Sequence, residues 1–160
     1  SADFYDKDLN TTVKLAYASY GVRQALCVIA QLFSPTQDII LIEEPEASLH
    51  PESVAELPLM FLEAIKMGKQ IIATTHSTVL PLALNRMIKK AKEEGICEDP
   101  NDLIAIYEVE KDAEGTKARR LQLDGRGYIK GYVPSFYKVE KQLFDEWWES
   151  LPSEKPTKKV

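Results

Sequence analysis

An α/β domain is predicted: a mainly parallel sheet flanked by helices, followed by a β-hairpin and a C-terminal helix. Two apolar runs carry the sheet. Ile39 to Ile42 is an unbroken aliphatic stretch that runs into Glu43 and Glu44 and is stopped by Pro45; Gln70 to Thr75 is a second run, ending at His76. Short continuous runs of this kind suit strands buried on both faces of a parallel sheet. Helical periodicity lies between and around them, so strands alternate with helices, the pattern of a parallel sheet.

The elements follow in chain order. Ser1 to Asn10 is polar with scattered aromatics and reads as a frayed or linking terminus. Leu9 to Ala18 suits a short strand or extended lead-in. Ser19, Tyr20 and Gly21 make a turn, with Ser19 fit to cap a helix and Gly21 to serve as a turn glycine. From Val22 to Phe33 the apolar residues recur at helical spacing, and Pro35 ends the helix. Asp38 to Ile42 is the central strand. Pro51 suits a first helical turn, and Val54, Leu57, Phe61, Leu62 and Ile65 form one stripe. Pro58 is expected to kink or restart that helix, and Gly68 to stop it. After the second strand, Ser77 is placed to cap a helix bearing Leu80, Leu84, Met87, Ile88 and Ala91. Lys89, Lys90 and Lys92 near its end complement the helix dipole, and Gly95 closes it. Leu103 to Glu110 and Thr116 to Leu123 read as a hairpin with a loop over Lys111 to Gly115. Asp124 to Gly127 is a turn, and Tyr128 to Phe136 is short and irregular. Val139 to Trp148 is a helix with Val139, Leu143, Phe144 and Trp147 inward and Trp148 exposed or at a partner interface. The charged tail after Leu151 is expected to be disordered.

Ligands of open α/β sheets bind beyond the carboxyl ends of the strands. Glu43 and Glu44 end one strand there and His76 ends the other. Neighbouring strand residues point to opposite sides, so the two acids are suited to different jobs, one toward a metal and one toward a water. The alternative for the pair is two solvated loop acids, a poor fit to the end of an aliphatic strand. Taken alone, Ser19 reads as a plain helix cap and Gly21 as a plain turn glycine.

Three stretches in this order, ASYGVRQAL (Ala18 to Leu26), IILIEEPEASLHP (Ile39 to Pro51) and IIATTHS (Ile71 to Ser77), resemble the second half of an ABC-type P-loop ATPase head of the SMC, RecF and OLD-like groups. SYG is similar to the signature motif, IILIEEPEASLHP to Walker B with the D-loop, and IIATTHS to the switch-histidine stretch. The separations from Ser19 to Glu43 and from Glu44 to His76 are also similar. The resemblance implies a partial P-loop NTPase fold. It implies that Glu43 supports Mg²⁺, through a water; that Glu44 acts as general base or orienter of the attacking water; and that His76 contacts the γ-phosphate. Ser19 and Gly21 would complete the ATP site of a second head in trans, at a helix N-terminus suited to anions. Most members carry Asp where Glu43 stands, and His50 replaces the usual D-loop aspartate, which points to the RecF-like and OLD-like branch.

No G-x-x-x-x-G-K-[ST] occurs in the chain, so the phosphate cradle is expected on a missing N-terminal P-loop segment. The chain is expected to be the C-terminal half of a longer or two-part ATPase, inactive alone and working as a homodimer of heads. The divisions are a lead-in (1–18), the ATPase core half (19–95), a hairpin and helix of the same domain (96–150) and a tail (151–160).

Composition bounds the rest. With 44% hydrophobic and 28% charged residues, 160 residues support one core. The net charge of −5 argues against broad attraction of nucleic acid by this segment; DNA or a nuclease partner is left to the full protein. Cys27 and Cys97 read as two reduced thiols of a cytoplasmic protein. No apolar run approaches the ~18 residues of a membrane span, and no signal peptide is recognised. Two rival readings are a metal-dependent nuclease using Glu43, Glu44 and Glu46, and a non-catalytic dimerisation module. A serine hydrolase lacks its G-x-S-x-G elbow.

Overall fold

The computed structural model describes residues 3–7, 10–131 and 133–150. The elements are β1 (Asp3–Asp6), β2 (Thr11–Lys14), a 3₁₀ turn (Leu15–Tyr17), α1 (Tyr20–Leu32), β3 (Ile39–Glu43), α2 (Pro51–Lys66), β4 (Gln70–Thr74), α3 (Val79–Glu93), α4 (Pro100–Leu103), β5 (Ile106–Asp112), β6 (Gly115–Leu121) and α5 (Pro134–Ser150). They form three two-stranded sheets, β1–β2, β3–β4 and β5–β6.

The central unit is β3–α2–β4. The two strands pair in parallel, in register from Ile39↔Gln70 to Glu43↔Thr74. Both therefore end level, which places Glu44 and His76 on one rim. His50 caps α2 by accepting from the Glu52 N–H, and Pro51 occupies the first turn. The C-terminus of α2 closes as a Schellman motif: Gly68 (φ 83°) donates to Ile65 and Lys69 to Ala64. Gly95 (φ 68°) closes α3 in the same way, with Ile96 donating to Ala91. Pro58 neither ends nor restarts α2. It is buried inside one uninterrupted helix, so packing of the apolar stripe outweighs the one lost ladder bond.

Val28 and Leu32 of α1, Ile40 and Ile42 of β3, Val54, Leu57, Phe61 and Leu62 of α2, and Leu80, Met87 and Ala91 of α3 make one core. The strands are not buried on both faces as their composition predicts. Ile40 and Ile42 are buried, whereas Ile39 and Leu41 are 59% and 70% exposed and Ile72 is 53% exposed. The core cluster draws on one face of the pair only, so the aliphatic run records two apolar faces of which the described residues cover one. Lys69 is buried immediately before β4, where Nζ donates to the carbonyls of Ser34 and Gln37 and pins the loop before β3.

The N-terminus departs from the frayed lead-in. Asp3–Asp6 and Thr11–Lys14 pair antiparallel, with Phe4 opposite Val13 and Tyr5 opposite Thr12. Aromatic and β-branched residues favour strands and pair well across them, and that preference overrides the polar composition. At the other end, the Asp99 side chain caps Pro100–Leu103 by accepting from the Asn101 N–H. The expected strand start is thus a helical turn, and β5 begins at Ile106. The β5–β6 loop is two residues, Ala113 and Glu114, because Asp112 Oδ1 accepts from the N–H groups of Glu114 and Gly115. The following turn docks on α3: Lys92 Nζ donates to Gly125 O (2.6 Å), and Gly127 (φ 88°) lies directly against Ile88.

Helix α5 starts five residues before the predicted Val139, at Pro134. Buried Glu108 holds its first turn by accepting from Ser135 N–H (3.0 Å) while pairing with Arg119. The inward assignment of Val139, Leu143, Phe144 and Trp147 fails, since all four are more than half exposed. The apolar stripe is present but packs on itself: Phe144, Trp147 and Trp148 have ring centroids 5.6–6.4 Å apart. Trp148 is exposed, as expected. The predicted tail (151–160) lies outside the described residues. No described helix is long and apolar enough to cross a membrane.

Candidate functional site

The rim where β3 and β4 end gathers the polar residues. Glu43 closes β3, exposed, opposite Thr74. Glu44 extends the ladder by one bond, donating from N–H to Thr74 O (3.1 Å), and then turns with φ 44°. A non-glycine residue at positive φ stores strain of order 1 kcal/mol or more, and such strain clusters at functional sites. Two successive turns follow, Ala47 N–H to Glu44 O and Leu49 N–H to Glu46 O, both 2.9 Å, and Ser48 also has positive φ (63°). The loop therefore folds tightly back over the strand ends.

On the neighbouring strand, His76 brings Nε2 to 3.7 Å from Glu44 Oε1. The Glu44 side chain is half exposed and that of His76 is 85% exposed, so both face solvent where a ligand would lie. Ser77 caps α3 as its sequence predicts: Oγ accepts from the N–H groups of Val79 (3.0 Å) and Leu80 (3.4 Å).

Ser19 caps α1, accepting from Val22 N–H at 3.3 Å. Gly21 has a local reason to be glycine. A Cβ there would stand 2.5 Å from Ser48 O, so α1 presses its first turn onto the 44–49 loop. None of the polar contacts of Glu44 or His76 among the described residues reaches Ser19 or Gly21. Glu44 and His76 thus form one cluster, and Ser19 and Gly21 sit at the start of α1, which meets the loop at Ser48 and Leu49.

Glu46 corrects the rival nuclease reading. It is 9% exposed and does not stand beside Glu43 and Glu44 as a metal ligand. Its Oε1 accepts from Thr75 Oγ1 (2.5 Å) and His76 N–H (3.3 Å). Among the described residues no three His, Cys, Asp or Glu side chains gather to hold a metal ion, so the carboxylate-cluster nuclease loses its third ligand. Thr75 was not singled out by the sequence at all. Both roles follow from the Glu43↔Thr74 register, which brings a turn carboxylate opposite a hydroxyl. A lone sequence does not reveal that register. Cys27 is exposed and Cys97 partly buried, both free thiols.

A family model described as "AAA domain, putative AbiEii toxin, Type IV TA system" matches residues 2–83. The phosphate import ATP-binding protein PstB of Pyrobaculum aerophilum is 42% identical over 59 residues, which is 36% of this chain and 22% of that protein. A solved chain from work on the ATP-driven dimerization and DNA-stimulated activation of SMC ATPases superposes with a TM-score of 0.50 at 17% identity. That match covers 84% of this chain and 66% of the other. At that identity the likeness is one of fold. The chain spans about a fifth of the curated relative and under two thirds of the solved one.

Proposed function

Since the chain belongs to the AAA-domain family of putative AbiEii-type toxins, we propose that it is the C-terminal half of an ABC-type ATPase head, with the γ-phosphate of ATP seated over the Glu44–His76 rim. One observation carries the reading: two groups suited to holding a water and a phosphate oxygen stand 3.7 Å apart at the level ends of adjacent parallel strands. Glu44 orients the attacking water and accepts its proton. His76 holds the phosphate oxygen and the same water. The work of such a site is positioning and charge stabilisation.

Glu43 suits a hard cation, being an exposed carboxylate at the strand end. As a single carboxylate it fits Mg²⁺ held through water rather than an all-protein cage, and the ion would supply charge neutralisation at the phosphates. Ser19, with the α1 N-terminus behind it, serves the site of a second head in trans, so the working unit is a head dimer. Residues 19–95 carry these parts, and 96–150 form the hairpin and C-terminal helix, tied to α3 through the 124–127 turn.

In the full-length protein, Glu44→Gln is expected to lower the hydrolysis rate at least ~100-fold while ATP binding persists. Phosphate release and a nucleotide-binding isotherm measure the two. Wild-type turnover in Glu44→Gln would sink the assignment. The isolated chain, without a phosphate cradle, is expected to show no submicromolar MgATP binding by calorimetry.

A further inference from the structure

We propose that Glu46 is a positioning residue that sets the spacing of Glu44 and His76. The inference rests on the role proposed above for that pair. The pair does not hold itself in place. Its contact is 3.7 Å long between half-exposed and exposed side chains, and exposed polar contacts of this length contribute little. Its geometry is therefore inherited from the two loops that carry it.

Glu46 is the buried side chain that joins those loops. From the turn after β3, its Oε1 takes the Thr75 hydroxyl and the His76 N–H. Thr75 Oγ1 in turn accepts from Ser77 N–H (3.0 Å), and Ser77 Oγ caps α3. One carboxylate oxygen thus fastens the whole link from β4 to α3 onto the loop of Glu44. A hydrogen bond in a buried setting is stronger than one in water, whereas the exposed contact it governs is among the weaker. The second oxygen, Oε2, is buried with no partner among the described residues. An amide at this position would keep the Oε1 acceptor and bring its NH₂ against no donor.

The test compares Glu46→Ala, Glu46→Gln and Thr75→Val in the full-length protein, by hydrogen–deuterium exchange over 75–80 and by ATP turnover. Glu46→Ala is expected to speed exchange in that segment and lower kcat roughly ten- to hundredfold, with KM for ATP within about twofold, as misplacement by about an ångström does. Glu46→Gln is expected to restore both. Unchanged exchange in Glu46→Ala overturns the proposal, and so does faster exchange with unchanged kcat. The second outcome leaves the ATPase reading intact, because Glu44→Gln reports on it separately. Should Glu46→Ala fail to fold, Thr75→Val removes at near-constant volume both the donor to Glu46 and the acceptor of Ser77 N–H and must show the same signature; exchange and kcat both at wild-type level would overturn the proposal.

Discussion

Gly21→Ala separates a local role of this glycine from one exercised only across a head dimer. The added Cβ would meet Ser48 O at 2.5 Å, Ser48 C at 3.5 Å and Leu49 Cδ2 at 3.8 Å. A carbon ordinarily stays about 3.3 Å or more from a carbonyl oxygen, so α1 and the 44–49 loop must part by most of an ångström. The obstacle is backbone, in a loop held by two turns and containing two residues at positive φ, and it does not yield as a side-chain end would. Overpacking of this kind costs about 1–3 kcal/mol. Alanine returns at most about 1 kcal/mol through helix propensity, less in a first turn. The net expectation is a loss of about 1–2 kcal/mol, or roughly 2–8 °C in Tm for a chain of this size. Urea and thermal unfolding of the chain measure it. If Gly21→Ala is as stable as wild type yet abolishes hydrolysis in the full-length protein, the glycine acts across the dimer and the local account is wrong.

Two further outcomes are expected. Ile40→Ala, which empties a core site, should cost about 2–5 kcal/mol, whereas Leu41→Ala on the open face of the same strand should cost under about 0.5 kcal/mol in this chain; equal losses in denaturant melts would show that the face is covered. Acid should act through Glu108. Burial pushes its carboxyl up, but hydrogen bonds from Ser135 and the Arg119 guanidinium outweigh that and hold it below its ordinary value. A carboxyl with a lowered folded value contributes stability above its unfolded value, about 4.3, and that contribution disappears as pH falls through the folded value. Glu108→Gln should therefore flatten the acid limb of a Tm-against-pH curve below about pH 4.5, and an unchanged limb would refute the assignment.

The legible part of the fold was the part set by local chemistry. Ser19, Pro51, Ser77, Gly68 and Gly95 mark helix ends where the structure places them, because caps and left-handed turns are decided within a few residues. The order of acids and histidine at strand ends was legible for the same reason. The misses each required a partner distant in sequence. The run Ile39–Ile42 cannot say which of its faces the helices take. The stripe of α5 cannot say that it packs only on its own aromatics. Pro58 reads as a breaker until the burial of its neighbours is known. Glu46 joins Glu43 and Glu44 in the rival nuclease cluster until the parallel register sets it against Thr75.

That last miss bears on the chemistry. Three glutamates stand within four residues, and the backbone separates them. Glu43 ends a regular strand and Glu44 is turned out at φ 44° toward His76, while the next turn buries Glu46. Successive strand positions alternate in direction, but here it is the left-handed turn at Glu44, not strand alternation, that sets its side chain beside His76. A residue whose strain is offset by neighbouring hydrogen bonds is held in one place, and a catalytic water needs a carboxylate held in one place. On this argument the strain at Glu44, the burial of Glu46 and the glycine at 21 belong to one device. Relaxing any of the three should loosen Glu44 before it unfolds the core.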